Sequence, residues 1–447
     1  MKYVSTRGDA ATLGFGDVIL EGLARDGGLY VPESVPQLPD LDASLSYGDV
    51  ATAVMQPFAD DADLASIVAD AYATFDHPEV CPVVELGDGL SVQELWHGPT
   101  LAFKDIALQL VGRLMDAELA RRGDRRTIVV ATSGDTGSAA IAACVGRPAL
   151  EIVVLHPAGR TSEVQRRQMT TVDEPNVHNV AIEGTFDDCQ DLLKDLFADV
   201  SFRDDVRLGA MNSINWARVL GQIPYYVTAA RAVGGRPTIC VPTGNFGNIL
   251  AGWYAREMGT PIERLLIASN SNDILTRWAG GGALAAEQVV STLSPSMDIQ
   301  VSSNHERLLF ELLERDGAAT GELQRRFRDL GSVEAPAAPD VFAAARIDDD
   351  ETLAEIRRVW DDHGYLIDPH TAVGIGAARR LRRHGEQIVC LSTAHPAKFP
   401  DAVEQATGVR PAIPPVLAAA LERPERYEVL GADVRLVQEF IRSAVKG

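Results

Sequence analysis

Lysine is nearly missing from this chain of 447 residues: Lys2, Lys104, Lys194, Lys398 and Lys446 stand against 36 arginines. Arginine can carry surface charge and grip carboxylates or phosphates, but its guanidinium does not deprotonate and cannot form an imine with an aldehyde. Chemistry that needs a nucleophilic amine therefore has few places to reside. Cysteine is equally sparse. Cys81, Cys144, Cys189, Cys240 and Cys390 are odd in number, widely spaced and without a C-x-x-C pair, which argues for reduced, buried thiols. The nine histidines include no H-E-x-x-H and no paired ligand spacing, so no metal site is expected. No apolar run reaches membrane-spanning length, and residues 1–8 lack the apolar core of a signal peptide, so a cytoplasmic chain is expected. Positive charge is also in deficit. A net charge of -22 with no basic block speaks against nucleic acid or an anionic membrane as partner, and an anionic small-molecule substrate would need a local basic pocket.

What is present is organised by alternation. Residues 1–86 are rich in Asp, Pro and Ala, with helices expected at 49–59 and 64–74. From about residue 90, apolar strand-like runs alternate with helical patterns, the signature of βαβ units and parallel sheets. Residues 314–350 accumulate Gly, Ala, Pro and Asp and read as an insertion or mobile surface segment. Four strand–loop–helix units stand out, with strands at 90–96, 127–131, 238–241 and 388–391. Ligands in open α/β sheets gather at the carboxyl ends of strands, so their four loops are expected to share one cleft.

Each loop carries candidate chemistry. In His97-Gly98-Pro99-Thr100-Leu101-Ala102-Phe103-Lys104-Asp105, Lys104 follows a Gly-Pro turn beside Phe103, where its amine could be desolvated toward the neutral, nucleophilic form. The alternative is a helix-start lysine paired with Asp105. Thr243-Gly244-Asn245-Phe246-Gly247-Asn248 has the make-up of a phosphate cradle, glycines giving backbone access and helix-start amides donating hydrogen bonds, or else is a plain glycine-rich turn. It is neither a Walker A loop nor a dinucleotide fingerprint, and Gly374-Ile375-Gly376 reads as helix-packing glycine. Ser133-Gly134-Asp135-Thr136-Gly137-Ser138 is a second anion-friendly helix entrance, or a pair of helix caps.

With these loops in view, the chain resembles the threonine synthases, of the longer class with an added N-terminal domain. The resemblance runs through Asp26-Gly27-Gly28-Leu29-Tyr30-Val31-Pro32, the Lys104 loop, residues 131–139, Asn212-Ser213-Ile214-Asn215-Trp216-Ala217-Arg218 and the 242–248 loop. It continues in Ser294-Pro295-Ser296-Met297-Asp298-Ile299, Ile367-Asp368-Pro369-His370-Thr371-Ala372 and Thr393-Ala394-His395-Pro396-Ala397-Lys398-Phe399. It implies an α/β protein with two open parallel-sheet domains of the tryptophan synthase β-like, fold-type-II kind, at 87–211 and 212–447, plus a mainly helical N-terminal domain at 1–86. It further implies pyridoxal 5'-phosphate as cofactor and conversion of O-phospho-L-homoserine and water to L-threonine and phosphate, by γ-elimination followed by β-addition.

By match to the family motifs, Lys104 would carry the cofactor. Gly244, Asn245, Phe246, Gly247 and Asn248 would hold its phosphate, Thr393 would face its ring nitrogen, and Asp135 would stand near its 3'-oxygen where shorter relatives have asparagine. Candidates for the substrate phosphate are Ser133, Thr136, Arg160, Asn215, Arg218 and Lys398, each of which could instead be a surface or ion-paired residue. A monomer or homodimer is expected. Two other readings stay open: a phosphohomoserine lyase yielding 2-oxobutyrate, and a cofactor-free relative without catalysis, against which Lys104, the 244–248 loop and Thr393 argue.

Overall fold

The computed structural model describes residues 1–59, 63–132 and 134–445. Two sheets carry most of the chain. The larger has six strands in the order Phe342–Arg346, Leu265–Ser269, Thr238–Pro242, Ile388–Ser392, Leu90–Glu94 and Val83–Glu85, all parallel except the last. The smaller has five parallel strands in the order Glu428–Gly431, Val177–Glu183, Leu150–Pro157, Arg126–Ala131 and Leu208–Gly209. Parallel strands are covered on both faces and so are apolar throughout rather than alternately. Every residue of Thr238–Pro242, Leu265–Ser269 and Ile388–Ser392 is buried accordingly. Helix Pro369–Leu381 lies on these three strands, and a Cβ at Gly374 would stand 3.2 Å from the Pro242 ring. The Gly-x-Gly at 374–376 is packing glycine, as expected.

The sheets do not divide the chain at residue 211 as expected. Strand Leu90–Glu94, which leads to Lys104, pairs with Ile388–Ser392 in the larger sheet, whereas Glu428–Gly431 returns to the smaller one. Hydrophobic pattern identifies a strand but not its partner, and parallel partners lie one or more crossovers away in sequence. Residues 314–350 are a second correction. They hold helix Gly317–Leu330 and the whole edge strand Phe342–Arg346, so this segment completes the larger sheet rather than decorating it.

The N-terminal region combines helices Phe15–Glu21, Tyr47–Met55 and Leu64–Tyr72 with a three-stranded antiparallel sheet, Leu13–Gly14, Lys2–Ser5 and Tyr30–Pro32. Tyr3 and Phe58 each place their rings 6.0 Å from that of Trp216, and all three are fully buried. This region shares one hydrophobic cluster with the larger sheet and with helix Lys104–Arg122. Truncating a core aromatic such as Trp216 to alanine costs about 3–5 kcal/mol, so the N-terminal layer is bound into the fold.

Candidate active site

Three adjacent strands of the larger sheet, Thr238–Pro242, Ile388–Ser392 and Leu90–Glu94, deliver the cradle loop, the Thr393 loop and the Lys104 loop side by side. Backbone bonds stitch the last two together: the Phe103 amide donates to the Thr393 carbonyl at 2.9 Å and the His395 amide to the Leu101 carbonyl at 3.0 Å. Asp105 braces the turn before Lys104. Its carboxylate accepts from the Thr100 amide at 2.8 Å and the Thr100 hydroxyl at 2.7 Å, and burial outweighs those bonds to push its pKa up to about 6. Asp105 is thereby engaged with the loop and leaves Lys104 to find another partner.

That partner comes from the smaller sheet. Asp135 opens helix Asp135–Cys144, and its Oδ2 lies 3.3 Å from Lys104 Nζ. Ser296 Oγ is also 3.3 Å from the amine, and the Phe103 ring centre is 5.1 Å away. Burial lowers the Lys104 pKa, and nearby Lys398 and Arg218 lower it further against the pull of Asp135. Burial would raise Asp135, but Lys398 and Lys104 together, with a hydrogen bond from Gln165, hold its carboxyl well below the usual range. The site is thus a buried charge cluster between the two sheets, with an amine biased toward its neutral form.

The cradle is open for an anion. The amides of residues 244–248, at the start of helix Gly247–Glu257, have no acceptor among the described residues. Phe246 turns through a left-handed conformation, φ +65, and packs its ring 5.0 Å from His305. A Cβ at Gly244 would stand 2.7 Å from the Ser296 carbonyl, so only glycine fits where the cradle meets the Ser294–Met297 turn. The Asn248 side-chain oxygen, Oδ1, accepts from the Tyr225 hydroxyl at 2.5 Å and the Tyr226 hydroxyl at 2.7 Å, while its buried side-chain nitrogen has no partner among the described residues. Thr393 is buried beside Lys104's loop, its hydroxyl unbonded among the described residues.

The six candidates for a substrate anion separate sharply. Arg218, in helix Trp216–Leu220, is 7% exposed, and its Nε and Nη1 have no partner among the described residues. Burial alone pulls its pKa down to about 10. Lys398 already has partners within the protein: its fully buried Nζ donates to the Thr100 carbonyl at 2.7 Å and sits 2.9 Å from Asp135 Oδ1. Asn215 is likewise taken, accepting from the Ala217 amide at 3.0 Å and donating to the Ile19 carbonyl at 2.8 Å. Arg160 is exposed on its loop and makes no contact with the Lys104 cluster. Thr136 is half-buried in the first turn of its helix, and Ser133 lies outside the described residues.

Four residues with no assigned role in the sequence join the site. Ser296 belongs to a motif that could be quoted but not placed. His370 accepts from the Ser296 amide at 3.2 Å while Asp368 holds its other ring nitrogen at 2.8 Å, so the pair fixes Ser296 from behind. Gln165, which donates to Asp135 Oδ1 at 3.0 Å, has no local sequence signal at all.

Comparison with known proteins agrees with this geometry. Family models described as "Threonine synthase N terminus", "Pyridoxal-phosphate dependent enzyme" and "Threonine synthase, C-terminal" match residues 2–72, 82–393 and 371–441. The threonine synthase of Pseudomonas aeruginosa is 49% identical over 459 aligned residues, covering 99% of this chain and 98% of that one. That of Schizosaccharomyces pombe is 42% identical, covering 91% and 89%. Among solved structures, the pyridoxal-phosphate-bound threonine synthase of Brucella melitensis superposes with a TM-score of 0.95 at 48% identity, each chain fully covered, and the yeast enzyme with 0.92 at 37%, covering 100% of this chain and 99% of that one. With family models matching along the chain and relatives 42–49% identical over nine-tenths or more of it, the chain belongs to the threonine synthase family of pyridoxal-phosphate-dependent enzymes.

Proposed function

We infer that the chain forms L-threonine and phosphate from O-phospho-L-homoserine and water. When bound, pyridoxal phosphate supplies the electron sink that makes the substrate's α- and β-protons acidic enough to remove. Lys104 would hold the cofactor, and its free amine would take and return those protons. Its burial beside Phe103 suits that work, because an ammonium accepts no proton. The amides of residues 244–248 would bind the cofactor phosphate at the helix start, where peptide dipoles favour an anion. Thr393 would offer the cofactor ring a neutral hydroxyl partner where a carboxylate would favour protonation. Ser296 orients the Lys104 amine, and the two sheets exclude bulk water from it.

The observation that carries a phosphorylated substrate is Arg218. A guanidinium that is nine-tenths buried, next to the reactive amine and short of acceptors, costs free energy unless an anion completes it. In a chain of net charge -22 such a local cation is what a dianionic substrate needs. Threonine and inorganic phosphate appearing in equal amounts from O-phosphohomoserine is the expected result. Release of 2-oxobutyrate with no threonine would overturn it.

A further inference from the structure

We propose that Lys398 is a positioning residue: its buried ammonium neutralises Asp135 from the side away from Lys104, so that the reactive amine faces a carboxylate already paired and stays in its free-base form. The proposal rests on the assignment of Lys104 as the reactive amine. The geometry is a chain of four polar groups crossing the gap between the sheets. Lys398 Nζ is 2.9 Å from Asp135 Oδ1, which also accepts from Gln165 at 3.0 Å, so that oxygen is filled. The other oxygen turns to Lys104 at 3.3 Å and Ser296 at 3.5 Å. Lys398 is fully buried and its second bond goes to a neutral carbonyl, that of Thr100. Asp135 is therefore its charge partner, and the two side chains form a net-neutral unit.

The arrangement has a chemical purpose. A lone buried carboxylate 3.3 Å from an amine would bind it as ammonium, useless as a nucleophile or base. A second lysine on the far oxygen cancels that field. The other charged or titratable groups around the amine are Arg218, Asp105 on the same helix, and His370 behind Ser296. None of these touches Asp135.

The test reads Lys104 directly on the full-length, cofactor-free chain, by competitive acetylation with acetic anhydride across pH followed by peptide mapping. Lys398→Met should move the titration midpoint of Lys104 up by about one pH unit, a tenfold loss of free amine at a pH below the midpoint. Asp135→Asn should move it down. The double variant, which removes both charges, should return labelling to within about threefold of the starting protein. Should Lys398→Met fail to fold, Asp135→Asn against the double variant gives the same step without an orphaned carboxylate. Unchanged Lys104 labelling in Lys398→Met, or shifts of one sign in both single variants, overturns the proposal. A raised KM for O-phosphohomoserine with unaltered labelling would instead return Lys398 to the substrate phosphate. Absence of threonine formation by the unaltered chain would refute the functional reading while leaving the labelling pattern to decide the charge pair.

Discussion

Replacing Arg218 by methionine should make the ligand-free protein no less stable while crippling it as a catalyst. The guanidinium is 7% exposed, and two of its nitrogens lack partners among the described residues. Burial draws its pKa from 12.5 to about 10, a penalty of about 3 kcal/mol for keeping the charge. Methionine fills similar space without a charge to desolvate, and replacing buried charge with apolar bulk is often neutral or stabilising by about 1–4 kcal/mol. Against that, a charge-assisted bond to a substrate oxygen is worth about 1.5–3 kcal/mol, so kcat/KM for O-phosphohomoserine should fall roughly ten- to a hundredfold. Two assays separate these effects. Steady-state phosphate release measures the catalytic loss. Thermal unfolding with and without inorganic phosphate measures the anion site, since a ligand at a hundred times its Kd stabilises the native state by about 2.7 kcal/mol. The unaltered protein should gain stability with phosphate, and Arg218→Met should gain distinctly less. A variant that is destabilised, yet keeps kcat/KM and its response to phosphate, would refute the reasoning and make the guanidinium a structural group.

Other perturbations follow from the same geometry. Lys104→Ala should fold normally and lose turnover, and borohydride reduction of the loaded protein should place the pyridoxyl label on Lys104 rather than on Lys194 or Lys398. Gly244→Ala puts a methyl 2.7 Å from the Ser296 carbonyl and should abolish retention of pyridoxal phosphate on gel filtration with little effect on the circular dichroism spectrum. Thr393→Asp should keep the cofactor but alter its absorbance and sharply reduce threonine formation; an unchanged spectrum and rate would place Thr393 away from the ring. His97 bridges Glu94 at 2.7 Å and Asp76 at 2.8 Å, and although burial opposes it, these carboxylates raise its pKa above 6.5. A raised folded pKa means stabilisation that is complete below the unfolded value and lost as pH climbs through the folded one. The stability gap between the unaltered protein and His97→Gln, from urea unfolding, should accordingly be about 1 kcal/mol at pH 6 and shrink toward pH 9, with Glu94 the main contributor because Asp76 is exposed.

What could be read from the sequence depended on whether the deciding interaction was local. The run at 388–391 is apolar throughout and that at 238–241 is apolar after Thr238, and serine or threonine follows each within two residues, so strand, turn and helix start were legible from neighbouring residues alone. The edge strand Phe342–Arg346 was not. Its Phe-Ala-Ala-Ala-Arg has weak β propensity and becomes a strand by pairing with Leu265–Ser269, a tertiary event. The same division explains the site. Lys104, Gly244 and Thr393 occupy loops at strand ends, where position implies access to a ligand, whereas Gln165 reaches Asp135 across 30 residues and leaves no local trace. Lys398, Asn215 and Arg218 looked equivalent in the sequence as polar residues in conspicuous motifs near a cleft. A side chain is available to a ligand only when the protein has not already satisfied it, and that is fixed by distant atoms: the Thr100 carbonyl and Asp135 for Lys398, the Ile19 carbonyl for Asn215. Arg218 differs because two of its nitrogens, though buried, have no partner among the described residues. Unmet hydrogen-bonding capacity beside the Lys104 amine, rather than residue type, is therefore what singles out Arg218, the group proposed to bind substrate, from those that build the site.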